Sequence, residues 1–213
     1  KMKDSARPAG ELGVEAAVKL AENWARAHHA DADRSRKFAI QWHRDSSPEN
    51  RQSDVLLRDL AFFFQASSQD AAYWRSVGDF TEEATGDWGV QALKALAGLN
   101  FVGLAAAVIL YAARDSSVFT LGAASACGLF LAGLLLAYPA LRLTKISRAT
   151  ANAASTAQSR NAGAASTWEQ LRSANDGNPN VGRRERKTAL RLAAIMAATA
   201  TAGCALLITT VWF

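Results

Sequence analysis

The chain has 213 residues, with 24 Lys and Arg against 19 Asp and Glu for a formal net charge of +5. That length holds one small polar region and a membrane region, and neither polar stretch is long enough for a substantial enzyme domain. A mean hydropathy of −0.03 excludes little by itself, because it averages strongly polar with strongly apolar stretches.

In chain order, residues from about Glu11 to Arg44 read as one helix. Leu12, Ala16, Leu20 and Trp24 recur at a helical interval, with Glu11, Glu15, Lys19 and Glu22 on other faces. Ser46-Ser47-Pro48 breaks the pattern, since Pro disfavours helix at the residue before it. A second helix is expected from Glu49 to Val77, with Val55, Leu56, Leu60, Phe63 and Phe64 as its apolar face and Ala71 and Trp74 extending it. Gly78-Asp79 reads as a boundary, where Asp79 and Glu82 have the spacing of a capping box. A short linking helix through Gly86-Asp87-Trp88 then leads on, with Trp88 placed where an indole meets a membrane interface.

Three stretches then carry no charged side chain: Ala95 to Ala113, Val118 to Leu141 and Leu192 to Phe213. A helix rises about 1.5 Å per residue, so about 20 such residues cross a hydrocarbon core of roughly 30 Å. The expected fold is an all-α integral membrane protein with three transmembrane helices, a hairpin plus one. Cytoplasmic helices precede the first span and separate the second from the third. Arg114 to Ser117 reads as the tight turn of the hairpin, and Tyr138 and Pro139 as the end of the second span.

Between the second and third spans, Ile146 to Ala174 is built mainly from Ala, Ser, Thr, Asn, Gln and Arg. Ala is the strongest helix former, and no Pro intervenes before Pro179, so a helix continuing out of the second span is expected. Small residues at Ala149, Ala153 and Ala157, then Ala162 and Ala165, permit close packing against another helix or another copy of the chain. Asn175 to Asn180 has the chemistry of a turn. The expected organisation is a cytoplasmic helical region (1–86), a transmembrane hairpin (87–143), a cytoplasmic helix with a basic loop (144–189) and a third transmembrane helix (190–213).

Of the 24 basic residues, 12 lie in residues 1–88 and 10 from Arg142 to Arg191, leaving Lys94 and Arg114. The positive-inside tendency therefore orients the chain with its N-terminus cytoplasmic and its C-terminus outside, as a multi-pass membrane protein. No secretory signal is expected ahead of the first span, and topology accounts for the basic charge without specific nucleic-acid binding.

Within the spans, polar residues are the first candidates for function. Asn100 needs an amide partner in lipid, and Lys94 stands at the cytoplasmic edge, as a snorkelling or pore-mouth cation. Thr199 and Thr201 give the third span a weakly polar character that suits a wet pore, although Thr hydroxyls more often bond back to their own helix. Gly122 with Ala126, and Gly128 with Ala132, have the small-xxx-small spacing of close helix packing. Arg183, Arg184, Arg186 and Lys187 form a basic cluster for anionic lipid or a charged cytosolic ligand. Cys127 and Cys204 fall within spans and read as inert small hydrophobes.

His28, His29 and His43 provide no ligand set: His29 and Asp33 share a face, but His43 is distant. No metal or cofactor is expected, and no enzyme activity, because no paired-carboxylate, nucleophile–base or phosphate-loop arrangement stands out. A hairpin flanked by cytoplasmic helices resembles, in layout, small bacterial membrane effectors of defence systems. That resemblance implies a homo-oligomer resident in a bacterial inner membrane, which it permeabilises. The leading expectation is an oligomeric, regulated ion channel or pore gated through its cytoplasmic helices. The competing one is a non-conducting anchor or scaffold whose Phe62, Phe63, Phe64 and Trp74 dock a cytosolic protein partner.

Overall fold

The computed structural model describes residues 11–83, 86–113, 117–177 and 180–212. Its helices are α1 (Val14–Ala27), α2 (Ala32–Asp45), a 3-10 turn (Pro48–Asn50), α3 (Ser53–Glu83), α4 (Gly86–Ala113), α5 (Ser117–Ala164), α6 (Trp168–Asn175) and α7 (Arg183–Trp212). There is no strand among the described residues. Three helices are long and apolar enough to cross a membrane, within Trp88–Ala113, Thr120–Ala164 and Arg183–Trp212. The chain divides into two compact units, one of Lys1–Val77 with Ser155–Gly177 and one of Gly78–Ala154 with Asn178–Phe213.

The first unit corrects the expected single helix over Glu11–Arg44. His29 takes a left-handed backbone, φ 52°, and Asp31 caps α2 by accepting from the Asp33 and Arg34 amides. The chain thus reverses between α1 and α2. The buried stripe of α1 is Ala17, Ala21 and Ala25 rather than Leu12, Ala16, Leu20 and Trp24. Leu12, Leu20 and Trp24 pack only at the margin of the core, and Ala16 is exposed. On α3 the expected face holds: Leu56, Leu60 and Phe63 are fully buried, with Val55 and Phe64 beside them.

The end of α5 enters this core through small residues. Ser155, Ser159, Ala162 and Ala165 are buried, whereas Ala149, Ala153 and Ala157, expected to pack, are exposed. Here the buried contacts are hydrogen bonds as much as apolar ones. Ser159 Oγ donates to the Ala71 carbonyl at 2.8 Å and Ser67 Oγ to the Ala162 carbonyl at 2.7 Å. Arg34 joins them: Nε donates to the Ala165 carbonyl at 2.9 Å and Nη2 to Ser67 Oγ at 2.8 Å. Its guanidinium also lies 4.8 Å from the centre of the Phe64 ring. A break at Ala165–Thr167 separates α5 from α6, where Thr167 accepts from the Gln170 amide while Gln170 Oε1 accepts from the Ser166 amide.

Two further boundaries differ from expectation. Gly78-Asp79 lies inside α3, which runs on to Glu83. Pro139 lies inside α5 rather than ending it. Proline forfeits one backbone bond, a loss that packed apolar helices tolerate better than exposed ones. The helix expected beyond the second apolar stretch is present: α5 runs for 48 residues, a contour of about 72 Å. The expected turn at Arg114 to Ser117 falls mostly outside the described residues, and Ser117 already begins α5.

In the second unit, α4, α5 and α7 pack through two clusters. One gathers Leu93, Ala137, Ala140 and Met196; the other gathers Ala107, Ala126, Phe130 and Ala200. Phe130 is fully buried. A Cβ added at Gly103 would fall on its ring, and one at Gly203 would come 2.7 Å from its Cζ. Glycine on α4 and on α7 thus makes room for a single phenyl ring from α5.

Candidate functional site

The polar centre of the second unit is Asn100. It is fully buried on α4. Its Nδ2 donates to the Leu96 carbonyl at 2.9 Å, one turn back, and to the Met196 carbonyl of α7 at 3.2 Å. Its Oδ1 is buried with no hydrogen-bond partner. Gly133 of α5 lies against that oxygen: a Cβ there would meet Asn100 Oδ1 and, at 2.5 Å, Thr199 Oγ1. One amide therefore sits where all three apolar helices meet. Thr199 Oγ1 donates to the Met196 carbonyl at 2.9 Å, so its hydroxyl proton is already committed. A carbonyl oxygen held unpaired away from water costs about 1–3 kcal/mol.

The other polar candidates do not join this centre. Lys94 is exposed on α4. Thr201 is exposed and its hydroxyl donates to the Ala197 carbonyl at 2.9 Å. Thr209 and Thr210 donate back to carbonyls of α7 in the same way. The two small-residue pairs part company. Gly122 and Ala126 face inward, with Ala126 fully buried and Gly122 close against Thr210. Gly128 and Ala132 face outward, and nothing lies within 4 Å of a Cβ added at Gly128.

The basic cluster is helical, because α7 begins at Arg183. Arg183 Nη1 donates to Asn180 Oδ1 at 2.7 Å. Arg183 and Arg186 line a cavity of about 630 Å³, whereas Arg184 and Lys187 do not. Sequence reasoning missed Arg148, a third arginine in the same wall. Its signal was the basic series Arg142, Lys145 and Arg148 directly after the apolar stretch of α5. The wall is closed where Ser147 Oγ donates to the Gly182 carbonyl at 2.8 Å. Gly182 has φ +75°, and a Cβ there would meet the Ser147 carbonyl oxygen at 2.5 Å.

In the first unit, the Lys37 hydrogen bond, reinforced by the charges of Lys37 and Arg36, holds the Asp33 carboxyl below its ordinary value. Burial lowers the Arg34 guanidinium. His28 stacks on Trp24 with ring centres 4.7 Å apart, and His43 Nε2 lies 3.0 Å from the Leu12 carbonyl oxygen. Among the described residues, no three His, Cys, Asp or Glu side chains come together as a metal site. The chain matches no protein-family model, no curated protein and no solved structure.

Proposed function

We propose that the chain is a multi-pass membrane protein of a bacterial inner membrane, with a cytoplasmic N-terminus and an outer C-terminus, whose copies assemble a regulated ion pathway. The observation that carries the reading is an inverted distribution of polarity on α4, α5 and α7. Large apolar side chains face outward, among them Ile109 at 67% exposure, Leu121 at 71% and Leu135 at 67%, while the amide of Asn100 is fully buried. Apolar surface on that scale is unfavourable in water and favourable against lipid.

The same packing argues for copies acting together. Phe130 and Asn100 fill the space between the three helices, so an ion path runs between chains rather than through one. Gly98, Gly128 and Ala132 are left exposed, where a neighbouring helix could approach closely. The cytoplasmic helices would then act as gate or sensor, as in a small membrane effector. Ion flux through proteoliposomes containing only the purified chain tests this. Flux above that of empty liposomes, altered by Asn100→Leu, supports the pathway. Absence of flux from a protein shown to be inserted and oligomeric counts against it.

A second reading, a non-conducting scaffold, draws on α3. Phe62 and Tyr73 are 63% and 60% exposed, and a separation of eleven residues returns them to one helical face. Phe63 is core, and Trp74 Nε1 donates to Asn175 Oδ1. Of the expected docking aromatics, Phe62 is the one on the exposed surface. A stoichiometric partner lost on Phe62→Ala and Tyr73→Ala would favour the scaffold.

A further inference from the structure

The cavity near the start of α7 is two-faced. One wall is apolar, formed by Leu93 and Leu96 of α4 with Leu190 and Ala193 of α7. Another carries Arg148 of α5 with Arg183 and Arg186 of α7, beside the hydroxyls of Thr144 and Ser147. Among the described residues, every charged side chain in the lining is an arginine. Glu185, on the same turn of α7, is not part of it. The volume of about 630 Å³ falls within the roughly 300–1,000 Å³ of small-ligand sites.

Along α7 the order is guanidinium first and apolar wall after. Arg183 and Arg186 precede Leu190 and Ala193, and the uncharged stretch begins at Leu192. A free phosphate compound would use the arginines and leave the leucines unoccupied. A zwitterionic lipid would fill the apolar wall and bring one phosphate, but its choline cation would be repelled by the arginine wall. A phospholipid with net negative charge satisfies both walls. Arginine suits the phosphate because its planar fork makes two parallel hydrogen bonds.

We propose that this cavity is a specific site for one anionic phospholipid, its phosphate on Arg183, Arg186 and Arg148 and an acyl chain along Leu93, Leu96 and Leu190. The inference rests on the membrane reading above. It gives the basic cluster two unlike halves: Arg183 and Arg186 grip a single lipid, while Arg184 and Lys187 contribute only diffuse attraction to the surface.

Full-length protein, reconstituted in nanodiscs of phosphatidylcholine with a minor fraction of phosphatidylglycerol and then released into detergent, is assayed by native mass spectrometry for retained lipid. The wild type should retain one phosphatidylglycerol per chain. The double variant Arg183→Gln/Arg186→Gln should lose that retention by about thirty-fold, because each basic residue near anionic lipid is worth roughly a factor of five. Arg184→Gln/Lys187→Gln, with the same change in charge, should retain it.

Equal loss in the two double variants, equal retention of phosphatidylcholine, or displacement of the lipid by glycerol 3-phosphate at comparable concentration would each overturn the proposal. So would occupation of the cavity by a second chain, seen as dimers bearing no lipid. Vesicle flotation separates the two levels: protein that fails to float refutes membrane residence itself, whereas protein that floats without lipid preference refutes only this site. Circular dichroism of each variant confirms that the helices are retained.

Discussion

Gly133→Ala is the most direct probe of the meeting point of α4, α5 and α7. The added methyl would occupy the space of Asn100 Oδ1 and would come 2.6 Å from Asn100 Cγ. The amide must swing away, and with it goes the 3.2 Å bond to the Met196 carbonyl. An interhelical hydrogen bond among apolar helices is worth about 0.6–2 kcal/mol, and forcing a methyl into a packed interior costs about 1–3 kcal/mol. The expected destabilisation is therefore about 2–5 kcal/mol. Reversible unfolding by SDS in mixed micelles measures it, followed by the thiol reactivity of Cys127 and Cys204, both half-buried against the Phe130 cluster. In an Asn100→Ala background the clash with the amide is gone and only the Thr199 hydroxyl still opposes the methyl, so the same substitution should cost at least about 1 kcal/mol less. Gly128→Ala meets nothing within 4 Å inside the chain, so in monomeric micellar protein it should show no such penalty. A neutral Gly133→Ala, or a penalty identical in both backgrounds, would refute the reasoning.

Arg34→Met should loosen the first unit by about 2–3 kcal/mol, from two hydrogen bonds and a cation–π contact. Hydrogen exchange of the full chain should show the loss around Ser67 and Ala165, and unchanged protection there would count against the network. Asp33 has its pKa lowered in the folded chain. Its contribution is therefore complete above the unfolded pKa and is lost as pH falls through the lower, folded value. Acidification through and below the ordinary carboxylate range should loosen the first turn of α2. The response should weaken with salt and be absent in Asp33→Asn, as followed by NMR titration of the carboxyl group; a midpoint at the ordinary Asp value would refute it.

The apolar helices were legible because absence of charge over twenty residues needs no knowledge of packing. The continuation of α5 was legible for a similar reason, since Ala-rich sequence without Pro offers the backbone little else. Boundaries set by single residues were not. His29 in a left-handed conformation carries no compositional mark, and Gly78 and Pro139, ordinarily breakers, are carried within long helices. Asn100 stood out as an amide in an apolar run. Its partner across the helices is the backbone carbonyl of Met196, and a carbonyl leaves no trace in sequence. The cavity was half legible: the basic cluster was visible, but only tertiary approach distinguishes Arg183 and Arg186 from Arg184 and Lys187.

Phe130 has a consequence for how this protein can change over evolutionary time. Its ring is seated against Gly103 on one helix and Gly203 on another, so the three positions form a closed steric unit spread over more than a hundred residues of chain. A side chain at either glycine is tolerable only if the ring is first trimmed, and a smaller residue at 130 leaves a void until one glycine enlarges. Single steps away from the present set are disfavoured in each direction. Natural variants should therefore differ at these positions together or not at all, and such co-variation would mark the α4–α5–α7 arrangement in sequences too distant to align elsewhere.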